Sequence, residues 1–288
     1  MRDYLIFVAD IADAQQRLLN AMPSFPVLGA DLLRQAALAG VAPLPAPDWV
    51  RDPAWRGTLR ALVAALQTRD GPAQETLVTL AGLDDEALEQ QADRLLNGVM
   101  LGLDLGAAPL IAAALQVYFT RLVLLTQELH GDGPESPPLF GRVDESGACP
   151  CCAMRPASSI VRIDGPVPGQ RYLHCALCST QWHKVRIECT HCGSDKVHFQ
   201  SLQTSDGRPL SSTGARAGAV QAECCDACDH YLKIVHMDKD PQVDPIADDL
   251  ASLTLDLLVA ETGKTRHGIN LMLLFGDPEA PLPEAADG

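Results

Sequence analysis

The sequence predicts an α+β protein with an N-terminal all-helical domain, two tandem rubredoxin-like or zinc-ribbon metal modules, and a C-terminal helix. Three observations support this fold class. Apolar residues recur with helical spacing as far as about residue 130. Eight cysteines then form four Cys-x-x-Cys pairs, and each pair can supply half of a tetrahedral metal site. Beyond residue 241 the helical spacing returns.

The helical domain is predicted to cover residues 1–130. A first helix ends before Pro23, and a second runs from Leu28 to Ala39. A proline-rich connector that carries Trp49 and Trp55 follows, because prolines interrupt helical hydrogen bonding. The next apolar stripe consists of Leu59, Leu62, Val63 and Leu66.

Two further helices complete this domain. Asp84 is a good N-cap, since its side chain can accept a hydrogen bond from the first turn of the helix that follows. The most regular apolar spacing begins at Pro109 and ends at Gly131, which predicts the central core helix of a bundle. Arg121, in the middle of that helix, argues against a span through a bilayer.

The cysteine pairs belong to an internal repeat. Residues 131–147 have the glycine, proline and acid content of a linker, and residues 148–188 and 189–240 form two predicted metal ribbons. In each ribbon a cysteine pair, a strand, a turn, a second strand, another cysteine pair and a short apolar run follow in that order. The predicted metal ligands are Cys149, Cys152, Cys175, Cys178, Cys189, Cys192, Cys225 and Cys228.

Sequential pairing of the four cysteine pairs follows from this repeat, although spacing alone leaves interleaved sites open. Four thiolates in a tetrahedron suit two ions per chain, either zinc or rubredoxin-like iron. Ten cysteines in 288 residues are too few for a disulfide scaffold, and a redox dithiol motif normally occurs once. Cys151 and Cys224 do not belong to a Cys-x-x-Cys pair, and we expect both to be small apolar residues that fill space in the core.

A last helix and a strap are predicted over residues 241–276. Asp244 and Pro245 begin this helix, which would place Ile246, Leu250, Leu253 and Leu257 inward and Asp248, Asp249 and Asp256 outward. The neighbouring pair Asp248 and Asp249 is therefore expected to be solvated surface and not an acid–base dyad. The acidic, proline-rich residues 277–288 are expected to be a disordered tail.

Charge and composition exclude several classes of partner. A formal net charge of −15 argues against nucleic-acid binding, which needs a positive surface. No uncharged apolar stretch is long enough to predict membrane insertion, and the first residues do not resemble an export signal. A reduced, cytoplasmic protein is the simplest expectation.

Catalytic motifs are scarce. His174, His183 and His191 lie near the cysteine pairs, and we expect them to be neighbours of the sites and not ligands, because eight cysteines already fill two sites. A site closed by four thiolates offers no position for substrate, so no catalytic residue is predicted.

The cysteine region resembles the formate dehydrogenase accessory protein family of the FdhE type. The resemblance rests on the four cysteine pairs with the residues around them and on the start of the last helix. These segments are Cys149 to Cys152, Arg171 to Cys178, Trp182-His183, Cys189 to Cys192, Cys225 to Cys228, Tyr231 to Lys233, and Ala247 to Leu253, which reads Ala-Asp-Asp-Leu-Ala-Ser-Leu. The resemblance is strong from Cys149 to Phe275 and looser in the helical half. Cys151 and Cys224 are additional to the family's usual pattern, and the chain begins within what resembles the family's first helical region.

The resemblance implies a cytoplasmic maturation factor that is not an enzyme. Such a factor would bind the catalytic subunit of a respiratory, molybdenum- or tungsten-containing formate dehydrogenase and assist its activation or assembly before export. Neither nucleic acid nor a membrane is an expected partner, and a homodimer is left open. The alternative from the residues is a thiol- or sulfur-handling or electron-transfer protein that acts through its Cys-x-x-Cys pairs.

Overall fold

The computed structural model describes residues 2–67, 71, 73–131, 140, 147–164, 167–203, 218–274 and 279. These residues belong to two compact units. One unit consists of Arg2–Ala30, Leu44–Pro137 and Leu271–Gly288, and the other of Asp31–Pro43 and Pro138–Asn270. Most of the predicted linker and all but one residue of the predicted tail 277–288 lie outside the described residues. The predicted domain boundaries stay predictions.

The N-terminal part is helical, as predicted. Its helices are α1 (Arg2–Ala21), α2 (Ala30–Ala39), α3 (Ala54–Leu66), α4 (Gln74–Ala81), α5 (Asp85–Leu96) and α6 (Ala108–His130). Asp84 caps α5, since its side chain accepts a hydrogen bond of 2.8 Å from the amide of Ala87. Helix α4 was not predicted. Trp55 was predicted to lie in the proline-rich connector, but it is part of α3 and is fully buried.

Helix α6 forms the core of the first unit. Its side chain Tyr118 is buried, and the Tyr118 hydroxyl accepts hydrogen bonds of 3.0 Å from Trp49 Nε1 and from the amide of Asp52. Of the described helices, α6 is the one long and apolar enough to cross a membrane, but 72% of its apolar window is buried. This burial fits the predicted core helix of a bundle.

The second unit contains one seven-stranded sheet. Its strands are β1 (Pro156–Arg162), β2 (Gln170–Cys175), β3 (Gln181–His183), β4 (Val197–Gln200), β5 (Val220–Cys225), β6 (His230–His236) and β7 (Thr265–Arg266). The order across the sheet is β3-β2-β1-β6-β5-β4, and β7 pairs with β6. Each predicted ribbon is thus a three-stranded antiparallel group, which confirms the tandem arrangement.

A parallel pair of strands joins the two ribbons, which the sequence did not predict. Ser159, Ile160 and Val161 of β1 lie opposite Ile234, Val235 and His236 of β6. Both central strands are buried along almost their whole length, whereas the edge strands β3 and β4 are only partly covered. Strands in parallel pairs are usually covered on both faces, so this joint explains the burial.

The C-terminal helical segment is split, and its predicted phase is confirmed at Leu250 but wrong at Leu257, Asp249 and Asp256. Helices α7 (Ala247–Ala251) and α8 (Leu253–Glu261) are separated at Ser252, whose backbone leaves the helical conformation. Leu257, predicted inward, is 60% exposed, whereas Asp249 and Asp256, predicted outward, are 1% and 7% exposed. The break at Ser252 resets the phase of α8, where Leu255 and Val259 fill the core in place of Leu257.

Opposite charges compensate the two buried aspartates. Lys233, fully buried in the middle of β6, places its Nζ 3.0 Å from Asp249 and 2.6 Å from Asp256. Arg266 of β7 donates two hydrogen bonds of 2.7 Å to the carboxylate of Asp249. Burial alone would raise the pKa of Asp249, but the charges of Lys233 and Arg266 hold it below its usual value. We therefore define Lys233, Asp249, Asp256 and Arg266 as the buried charge cluster.

The four cysteine turns share one backbone conformation. The residue that follows the second cysteine of each pair has a positive φ: 62° at Ala153, 58° at Ser179, 74° at Gly193 and 56° at Asp229. This left-handed conformation reverses the chain, so that the amide of Ala153 donates to the carbonyl of Cys149 at 2.9 Å and that of Gly193 to Cys189 at 3.0 Å. Only Gly193 is the residue type that this conformation favours.

The buried charge cluster predicts unequal effects at two adjacent aspartates. Replacement Asp249→Asn should lower the free energy of unfolding by about 3–5 kcal/mol, because it leaves two buried cations, Lys233 and Arg266, with the single carboxylate of Asp256. Asp248→Asn is the matched control, since Asp248 is partly exposed and should lose less than about 1 kcal/mol. Denaturant unfolding of the metal-loaded protein measures both values, and equal losses would contradict the assignment.

The shared turn conformation predicts opposite effects of glycine and alanine. Gly193→Ala should lower the free energy of unfolding by about 1 kcal/mol, because a Cβ is disfavoured at its φ of 74°. Ala153→Gly, the reverse change at the equivalent position, should leave it unchanged or raise it by up to about 1 kcal/mol. The same denaturation experiment compares the two variants. A loss of similar size in both would show that the turn conformation is not responsible.

Candidate metal centres

The first two cysteine pairs meet in one group of four sulfurs. The Sγ atoms of Cys149 and Cys178 are 3.5 Å apart, those of Cys152 and Cys175 are 3.4 Å apart, and those of Cys152 and Cys178 are 3.5 Å apart. All four residues are buried. The first turn precedes β1 and the second follows β2, so the antiparallel pairing of these strands brings the two turns together. We call this group the first cluster.

The last two pairs form an equivalent group, the second cluster. The Sγ atoms of Cys189 and Cys228 are 3.7 Å apart, as are those of Cys192 and Cys225. Within each cluster all four sulfurs lie within 4.8 Å of one another. Sequential pairing of the cysteine pairs is therefore confirmed, and interleaved sites are excluded.

Both clusters fit a tetrahedral ion. Sulfurs that lie about 2.3 Å from a zinc ion at tetrahedral angles are about 3.8 Å apart, close to the distances observed. The sulfur atoms of a disulfide are only about 2.05 Å apart, and all ten cysteines are free thiols. The two clusters are thus compatible with tetrahedral metal sites, and ligation by these eight residues stays a prediction.

Each cluster contains a sulfur whose environment favours the thiolate. Burial would raise the pKa of Cys149, but hydrogen bonds from Cys151 and Cys152 lower it to about 6. In the second cluster the backbone amide of Ser194 donates to Cys192 and lowers the pKa of that thiol. In spite of burial, the neighbouring cysteines also hold the pKa of the Cys178 thiol well below its usual value. Metals bind thiolates and not thiols, so these shifts suit the sulfurs to metal ligation.

The two additional cysteines lie outside both clusters. Cys151 is buried beside the first cluster, where its sulfur accepts a hydrogen bond of 3.4 Å from the Thr180 hydroxyl. Cys224 is buried in an apolar cluster with Leu255 and Val259, and burial raises its pKa to about 11. Both are small buried residues, as predicted.

Arg171 connects the first ribbon to the second ribbon and to its first cysteine turn, and the sequence did not predict these contacts. Arg171 of β2 lies 2.9 Å from Glu223 of β5, and both side chains are almost fully buried. The same guanidinium donates to the Thr190 hydroxyl at 2.9 Å and to the Glu188 carbonyl at 3.0 Å. Arg171 and Glu223 each lie in a strand where polar and apolar residues are mixed, as they are in a strand with one solvent-exposed face. The local sequence therefore gives no sign that the two side chains are buried and paired.

A lysine supports the fourth cysteine turn in a similar way. Lys264 donates hydrogen bonds of 2.9 Å to the Cys225 carbonyl and to Asp226, and one of 3.0 Å to Asp229. Lys264 lies in the sequence Gly263-Lys264-Thr265, just after α8. Lys264 is more than 30 residues from this turn in the sequence, so the spacing of the cysteines could not predict its contacts with the turn.

Among the described residues, neither metal cluster includes a histidine. His174 accepts or donates a hydrogen bond of 3.2 Å with Gln181, and His183 packs edge-on against Tyr172. His191 instead lies beside His230 and His267, with ring centroids 3.8 Å and 5.2 Å away. These three imidazoles line a small cavity of about 10 Å³ next to the second cluster. They are neighbours of the cluster, as the sequence predicted for His191.

Comparison with known proteins identifies the family of the chain. Models described as "FdhE, N-terminal", "FdhE, central domain" and "FdhE, C-terminal domain" match residues 1–131, 148–186 and 187–273. Protein FdhE of Escherichia coli K12 is 37% identical over 279 residues, which are 96% of this chain and 84% of that protein. Protein FdhE of E. coli O9:H4 is 36% identical with the same coverage.

A solved structure agrees with this result. The crystal structure of the FdhE protein from Pseudomonas aeruginosa matches with a TM-score of 0.77 and 32% sequence identity, covering 96% of this chain and 90% of that one. The chain therefore belongs to the FdhE family, as the resemblance of its cysteine pairs and last helix predicted.

Proposed function

We propose that this protein is a cytoplasmic formate dehydrogenase accessory factor that binds the catalytic subunit of a respiratory formate dehydrogenase. It assists the activation or assembly of that subunit before export and is not itself an enzyme. Membership of the FdhE family over 96% of the chain carries this proposal. The strongly negative net charge supports a protein partner, because nucleic acid would be repelled.

We further propose that the eight clustered cysteines hold two metal ions, iron or zinc. The donor set supports this, since four sulfurs at tetrahedral separation are what either ion prefers. A bound ion would stabilise the ribbons, and iron would add one-electron chemistry. With all four positions taken by sulfur, neither site has room for a substrate, which supports a binding role over a catalytic one.

A thiol-handling or electron-transfer function is the second candidate. It is supported by the exposure of Cys192 in the second cluster, because a reactive thiol must be reachable from solvent. This candidate expects a mixed disulfide or persulfide on one of the Cys-x-x-Cys pairs in the purified native protein. Two bound metals with all eight thiols blocked would argue against thiol handling, whereas reversible bleaching of a rubredoxin-like absorption would support electron transfer.

Metal binding is tested by comparing substitutions at two adjacent cysteines, Cys225 and Cys224. Cys225→Ala should reduce the metal content from two ions per chain to one, because it removes a ligand of the second cluster. Cys224→Ala is the control and should retain both ions, since its sulfur packs in the apolar core. Elemental analysis of anaerobically purified protein, read with the visible spectrum, gives the number and identity of the ions.

The same preparation tests the contribution of the metal to stability. Removal of the ions with a chelator should unfold the sheet unit, because each structural site supplies on the order of 10 kcal/mol. Circular dichroism before and after chelation measures this loss. Wild-type protein with fewer than two ions, or with a sheet signal unchanged by chelation, would contradict structural metal sites.

Partner binding is tested by affinity capture. The wild-type protein should enrich the formate dehydrogenase catalytic subunit, since the proposed role requires a direct contact. An unrelated protein of similar negative charge is the control for nonspecific attraction. Equal recovery of the subunit on both baits, measured by quantitative mass spectrometry, would remove the proposed function.

A further inference from the structure

The two cysteine clusters differ in how far solvent can reach them. In the first cluster all four cysteines are buried. In the second, Cys189 and Cys225 are buried, but Cys228 is half-buried and Cys192 is exposed. The sulfur separations and the turn conformation are nearly the same in both, so the difference lies in what covers the sulfurs.

The residues between the paired cysteines account for this difference. In the first cluster three of these four residues, Cys151, Ala176 and Leu177, are at most 2% exposed, and the fourth, Pro150, is partly buried. In the second cluster His191, Asp226 and Ala227 are exposed, although Thr190 is buried. An external ligand therefore reaches the first cluster only if the sheet unit opens locally, whereas it meets Cys192 directly.

We propose that the second cluster is the site at which the protein gives up its metal to thiolates of another molecule, and that Cys192 is the first ligand displaced. This inference rests on the proposed metal binding. A sulfur ligand is the expected competitor, because soft thiolates compete for iron or zinc in a sulfur site better than oxygen donors do. The first cluster then retains its metal and stabilises the first ribbon.

The exchange needs no oxidant. The bond between Cys192 and the metal breaks as the incoming sulfur forms a bond in its place, and the proton of the incoming thiol passes to the Cys192 sulfur. The number of thiolates around the ion and all oxidation states stay the same. Cys189 and Cys225, both buried, retain the ion during this step.

Release kinetics test the proposal on the full-length protein. The protein is loaded with two equivalents of zinc and mixed with glutathione and a chromogenic zinc indicator. One equivalent should be released at least about ten-fold faster than the other, because release from the first cluster requires local opening. Two equal rates would overturn the proposal.

Assignment of the fast equivalent needs a second measurement. A short pulse of N-ethylmaleimide during release, followed by peptide mass spectrometry, should label Cys192 and Cys228 before any cysteine of the first cluster. Cys192→Ser should lose the fast zinc equivalent and keep the slow one with an unchanged rate. Earlier labelling of Cys149, Cys152, Cys175 or Cys178 would overturn the proposal, whether or not the variant folds.

The outcomes separate this inference from the proposed function. A wild-type protein that binds fewer than two zinc equivalents would contradict the metal sites themselves. A protein that binds two equivalents and releases them at one rate would leave metal binding intact and remove only the assigned exchange. Capture of the formate dehydrogenase subunit depends on neither result.

Discussion

The parallel pairing of β1 with β6 is the constraint on which the sheet unit depends. It converts two three-stranded ribbons into one sheet and places both strands at its centre, where each is covered on both faces. A lysine in the middle of β6 is then unavoidably buried. Unpaired, such a charge would cost several kcal/mol, so Asp249 and Asp256 must turn inward to meet Lys233. The phase of the last two helices follows from this requirement.

The same sheet controls the geometry of the sulfur clusters. Each cysteine turn adjoins a strand or ends one, and antiparallel pairing within a ribbon brings two turns face to face. The left-handed residue after each pair repeats this geometry four times. Arg171 and Lys264 then hold the third and fourth turns from strands or loops that are distant in sequence. The sulfurs are thus positioned by backbone pairing first and by side-chain contacts second.

Two clusters with the same four sulfur donors need not have the same role. Their sulfur separations differ by only a few tenths of an ångström, but the first lies under apolar side chains and the second reaches the surface. A closed four-sulfur site is suited to hold a fold together, and an open one can in addition meet a ligand from outside. The two clusters therefore differ in the exposure of their sulfurs and not in their donor set.

Most of the features that the sequence predicted correctly are encoded by short segments of the chain. The spacing of two residues within each cysteine pair, the alternation of strands with turns, and the helical period before residue 130 are properties of short segments, and the sequence by itself determined them. It also indicated which turns meet, because the repeat is sequential. Only the tertiary structure decided the joint between β1 and β6, the inward phase of Asp249 and Asp256, and the exposure of Cys192. These features depend on contacts between residues far apart in the chain, which no local period encodes.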